Sequence, residues 1–158
     1  MKLKTQSSVV GVARTTANFP LLPRPRFADT LRFPADITEL TAANVSELLG
    51  KYTQLYAYAN QELALLGVRL LRVQFQRDIR RNEIFRKRPG LNGIERWRRD
   101  AVLDEDSQME QLGAAENLIE RQKVMLQMAQ TNFDRYLVAL SRELTRKTTE
   151  GFPARTPI

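Results

Sequence analysis

The sequence predicts an all-α fold: a long antiparallel helical hairpin behind a Pro-rich extended N-terminal arm, built to assemble with copies of itself. Three observations carry this. Two long stretches repeat apolar residues at seven-residue spacing, a segment rich in helix breakers divides them, and four of the seven prolines fall within residues 20–34. The expected organisation is an arm over 1–40, a hairpin domain over 41–148 with a basic tip at 75–99, and a C-terminal tail over 149–158.

In the arm, Pro20, Pro23, Pro25 and Pro34 forbid a continuous helix and push each preceding residue toward extended backbone. Phe19, Leu21, Leu22, Phe27, Leu31 and Phe33 lie between them. Apolar side chains on an extended segment suit a strap laid over another surface better than a free tail.

Thr41 is a good N-cap, and a helix is expected from Ala42 onward. Val45, Tyr52, Ala59, Leu66 and Val73 lie seven apart and form a seam for a second long helix. Gly50 and Gly67 interrupt it and are expected where a neighbour approaches closely. The helix should end at Pro89-Gly90. A short segment from Ile94 to Val102 follows, and Asp104-Glu105-Asp106 opens a second long helix, where negative charge favours the N-terminal dipole. Leu112, Ile119, Leu126, Phe133 and Leu140 repeat the spacing of seven, and this helix should reach about Lys147. The two helices carry more apolar surface than one seam needs. Tyr52, Tyr56, Leu63, Leu126, Phe133 and Tyr136 are therefore expected at a homo-oligomer interface.

Composition narrows the function. The chain has neither histidine nor cysteine, which removes Cys or His nucleophiles, zinc sites built on those ligands, and disulfides. No cofactor, no metal and no catalytic residue is expected, and the chain reads as a binding protein and not an enzyme. The acidic run Asp100, Asp104, Glu105 and Asp106 lacks metal-loop spacing, and helix capping with arginine pairing explains it better. Arg142, Arg146 and Lys147 complement the dipole of the last helical turn. No apolar run is long enough for a bilayer, so no membrane partner is expected.

The net charge is +7, yet residues 69–99 alone hold eleven cations against three anions, an excess of +8. Arginine supplies ten of the eleven, and its planar fork suits phosphates and stacked bases. The candidate nucleic-acid-binding residues are Arg69, Arg72, Arg77, Arg80, Arg81, Arg86, Lys87, Arg88, Arg96, Trp97, Arg98 and Arg99. Positive charge interleaved with Phe75, Phe85 and Trp97 is the pattern of single-stranded nucleic-acid binding; an acidic protein surface is the competing ligand. Gly90-Leu91-Asn92-Gly93 lacks the Lys-Ser/Thr of a phosphate loop.

The stretches Arg72 to Pro89, Val102-Leu103-Asp104-Glu105-Asp106 and Phe133 to Lys147 together resemble the UvsY-type recombination mediators of tailed phages, over roughly residues 40–148. The resemblance implies a protein that binds single-stranded DNA, assembles as a ring and helps load a recombinase, in a host cytoplasm. Arg77, Arg80, Arg81, Arg86, Lys87 and Arg88 sit where that family's basic helix would. The long arm and the lack of paired tyrosines before Gly90 depart from the family pattern. The alternative expectation is a structural component of a phage particle, found in the virion, whose arm straps neighbouring subunits and whose partners are capsid or neck proteins.

Overall fold

A computed structural model describes residues 21–150, and within them every regular element is helical. Helix α1 spans Ala42–Lys87, a 3-10 turn spans Pro89–Gly93, α2 spans Arg96–Asp104 and α3 spans Ser107–Glu150. At 1.5 Å per residue, the 46 residues of α1 extend about 70 Å.

The ends of the elements follow local chemistry. The Thr41 hydroxyl accepts a hydrogen bond from the Asn44 amide at 3.2 Å, which caps α1. α1 ends one residue before Arg88, whose φ of −128° and ψ of 71° leave the helical region and turn the chain into Pro89–Gly93. Asp106 caps α3 by accepting from the Met109 amide at 3.0 Å. α3 runs three residues past the expected Lys147, to Glu150.

The long helices pack antiparallel. Tyr52 lies against Phe133 and Tyr136, Asn60 receives a hydrogen bond from Gln130, Gln74 meets Glu116, and Arg80 meets Asp106. As the number rises on α1 it falls on α3. Val45, Tyr52, Ala59 and Leu66 of the expected α1 seam are all buried.

The core is thickest at the two ends. At the base, Val45, Tyr52, Leu55 and Leu140 form one cluster. Phe27, Leu31, Phe33, Ile37 and Leu40 of the arm close over it. Phe33 stacks on Tyr136 with ring centroids 4.1 Å apart and meets the edge of Tyr52 at 5.8 Å. The arm is also tied by polar bonds. The Leu22 amide donates to Gln61 and its carbonyl accepts from the same side chain, while Lys147 Nζ donates to the Thr38 carbonyl at 2.7 Å. The described part of the arm therefore straps its own hairpin. Residues 1–20 and the tail beyond Glu150 lie outside the described residues.

At the tip, Ile84, Leu91, Leu103 and Met109 form a second cluster, with Phe85, Ile94 and Val102 packed on it. The short helix α2 thus folds back on the end of α1 and the start of α3.

One expectation is corrected. Gly50 and Gly67 do not mark a close approach: an added methyl group at either would meet no atom within 4 Å. Glycine at these positions only weakens the helix.

Candidate nucleic-acid interface

The twelve candidate residues do not form one uniform surface. Arg77 and Arg80 lie on the side of α1 that faces α3, and both are held by carboxylates. Arg77 pairs with Glu116, whose other oxygen accepts from Gln74 at 2.9 Å. These two bonds, Gln74's first, hold the Glu116 carboxyl below its ordinary range. Arg80 grips Asp106 with two nitrogens, at 3.1 and 2.6 Å, and reaches Glu83 at 3.2 Å. The Arg80 bonds likewise lower Asp106. These two arginines bolt the hairpin together and are not free to receive a phosphate.

The others are exposed except for half-buried Arg99, although Arg81 and Arg96 also line a groove between the helices. Arg69, Arg72, Arg81, Arg86, Lys87 and Arg88 are exposed on the second half of α1 and the residue beyond it. None of them forms an ion pair among the described residues. Arg81 lies over the Phe85 ring, 5.6 Å from its centroid. On α2, Arg96 makes one loose pair with Asp100 at 3.9 Å, and Arg99 is half-buried. Trp97 is 62% exposed, its indole N–H donates to Glu95, and the Arg98 guanidinium sits 5.0 Å over its ring. An exposed indole with a cation on one face is a platform on which a base can stack.

The fold also brings anions to the tip. Residues 75–110 together hold nine cations and eight anions, an excess of only +1, because the acidic stretch from Asp100 to Glu110 returns beside the basic helix. The groove among α1, α2 and α3 is accordingly mixed, lined by Arg77, Arg81 and Arg96 together with Asp100, Asp104 and Glu110. That mixture does not suit a small free anion. The cations without an ion pair among the described residues lie instead around the second half of α1 and just beyond it, over about 28 Å: Arg69, Arg72, Arg86 and Lys87 fall within an arc of about 100°, and Arg81 falls toward the mixed groove.

The tyrosine and phenylalanine expected between subunits are used within the chain. Tyr52 is buried, and Phe133 and Tyr136 pack on the same cluster under Phe33. Burial also raises the Tyr52 hydroxyl above its ordinary range. Tyr56, Leu63 and Leu126 are half-buried. The large apolar residues left exposed are others, including Leu71, Phe75, Met125 and Met128.

At the base lies a second charged site, in the stretch whose Arg142, Arg146 and Lys147 the sequence reads as complementing the helix dipole. Glu143 is 6% exposed and holds both Arg146, at 2.6 and 3.0 Å, and Lys147, at 3.1 Å. Arg146 above all, then Lys147, brings the Glu143 carboxyl down to about 2. Arg146 also reaches Glu150, so it is not free for a ligand, whereas Arg142 is exposed. The sequence does carry a signal for it: a carboxylate three and four residues before two cations.

Comparison with protein-family models, with curated proteins and with solved structures gives no match for this chain. No helix among the described residues is long and apolar enough to cross a membrane.

Proposed function

We propose that the chain is a non-catalytic accessory protein that binds single-stranded DNA, in the manner of a recombination mediator. The observation that supports this best is the set of exposed cations Arg69, Arg72, Arg81, Arg86, Lys87 and Arg88, which form no ion pair among the described residues, together with the exposed Trp97–Arg98 stack. The cations would neutralise successive phosphates, and Trp97 would stack an unpaired base. A duplex offers no such base, so single strands would be preferred. Arg77 and Arg80 are excluded from the contact set by their carboxylates.

The test is retention on a single-stranded oligonucleotide at low salt. Replacing Arg81, Arg86, Arg88 and Arg98 together by Ala should abolish it and leave helix content unchanged. Trp97→Ala should weaken single-strand binding by about fivefold to 150-fold, since a stacked base contributes roughly 1–3 kcal/mol. Removing any one of the phosphate-neutralising cations should flatten the salt dependence by about 0.7 in log–log slope. Binding that survives the fourfold replacement overturns the reading.

A structural role in a phage particle is the second reading, favoured by the exposed apolar residues of both long helices. Its signature is a chain that binds no oligonucleotide and is recovered with purified particles.

A further inference from the structure

The outer side of each long helix carries an apolar face that the hairpin leaves uncovered. On α1 the face is Val68, Leu71, Phe75 and Ile79, with Leu71 67% and Phe75 51% exposed. With 3.6 residues per turn, these four fall within an arc of about 80°. The buried Leu66, Leu70 and Ile84 point the opposite way, toward α3. On α3 the face is Leu118, Val124, Met125 and Met128, with Met125 69% exposed. It too points roughly away from the seam, which runs through Leu112, Ile119 and Leu126.

The two faces lie at overlapping levels. Asn60 is level with Gln130 and Gln74 with Glu116, so Val68 and Leu71 are level with residues of about 119–122 on α3. One hairpin therefore presents an apolar flank on its left and another on its right, at overlapping heights.

We infer that these flanks bind each other in successive copies of this chain: the α1 face of one copy seats the α3 face of the next. The contact is heterologous, so it repeats. In the row that results, α1 and α3 alternate up and down, and every tip comes to the same edge. Whether the row closes is set by the angle between neighbours. Size supports a second copy as the occupant. Each face exposes on the order of 400 Å² of apolar surface, as large as a soluble monomer commonly leaves bare. Two such faces with their polar margins reach about 1,200 Å², the lower bound of specific interfaces. At the shared level, Val68 and Leu71 of one copy come beside Leu118 and Val124 of the next, aliphatic against aliphatic. The assembly does not depend on what the tips bind.

Sedimentation of the full chain and two variants tests this. Wild type should sediment as a species larger than a dimer at tens of micromolar. Phe75→Glu and Met125→Glu each spoil one flank and should each be monomeric with unchanged helix content. Mixed in equal amounts they should form a dimer and nothing larger, since one intact α1 face and one intact α3 face remain. If either glutamate variant loses helix content, Leu71→Ser and Met128→Ser replace the pair. A monomeric wild type, a mixture that stays monomeric, or a Met125→Glu variant that still dimerises alone through α1 would each overturn the inference.

Discussion

Asp106 closes two structures with one carboxylate: it caps α3 through the Met109 amide and receives two nitrogens of Arg80 from α1. The two roles separate by mutation. Asn is as good a cap as Asp but carries no charge for the guanidinium, and Ala supplies neither. Thermal unfolding should therefore rank wild type above Asp106→Asn and Asp106→Asn above Asp106→Ala. Equal melting temperatures for Asn and Ala would mean that the cap contributes nothing. Glu143 makes a second prediction, on pH. Its folded carboxyl titrates near 2 against an ordinary 4.5, because the folded state holds the charged form with Arg146 and Lys147. A lowered folded value gives stability that is complete above about pH 4.5 and is lost as pH falls through about 2. Asp106 and Glu116 are lowered in the same direction. Wild type should thus lose stability between pH 4.5 and 2 more steeply than Glu143→Gln, measured by denaturant melts at each pH.

At the scale of elements, the helices are legible in the sequence and their surroundings less so. Seven-residue spacing locates both long helices, because a buried seam constrains residue type strongly. Thr41 and Asp106 mark their starts by side-chain chemistry that needs no tertiary context. What the arm covers is not legible, since an extended Pro-rich segment can lie on its own hairpin or on a neighbour's with the same residues. Phe33 shows the outcome: it stacks on Tyr136 and edges Tyr52, the rings that the sequence suggests for a subunit interface. Phe33→Ala should release the arm, making it cleavable by protease under native conditions while α1 and α3 stay protected; an arm equally resistant in the variant would show that Phe33 does not anchor it. The glycines mislead for a related reason. Composition cannot distinguish a glycine needed for a close approach from one that is merely tolerated, and the surroundings of Gly50 are open. Gly50→Ala should therefore stabilise the fold by about 0.5–1 kcal/mol, raising the melting temperature by roughly 1–4 °C.

For the whole molecule, charge and apolar surface are arranged by the fold in ways that a linear reading divides wrongly. Cut along the sequence, residues 69–99 look like an isolated cationic block. Folding returns Asp100 to Glu110 beside that block, so the groove there becomes mixed in charge and the α1 cations without an ion pair among the described residues are left around the helix's second half. The apolar residues divide in the opposite sense: each long helix is apolar on its inner side through the seam and again on its outer side through Phe75 or Met125. A chain with two uncovered flanks gains stability from each neighbour that covers one, and that gain follows mass action. The melting temperature of wild type should accordingly rise with protein concentration over a hundredfold range. Phe75→Glu, with one flank spoiled, should melt at a temperature independent of concentration and close to that of wild type at its most dilute. A wild-type melting temperature that does not move with concentration would mean that the flanks, however exposed, add nothing to the stability of the fold.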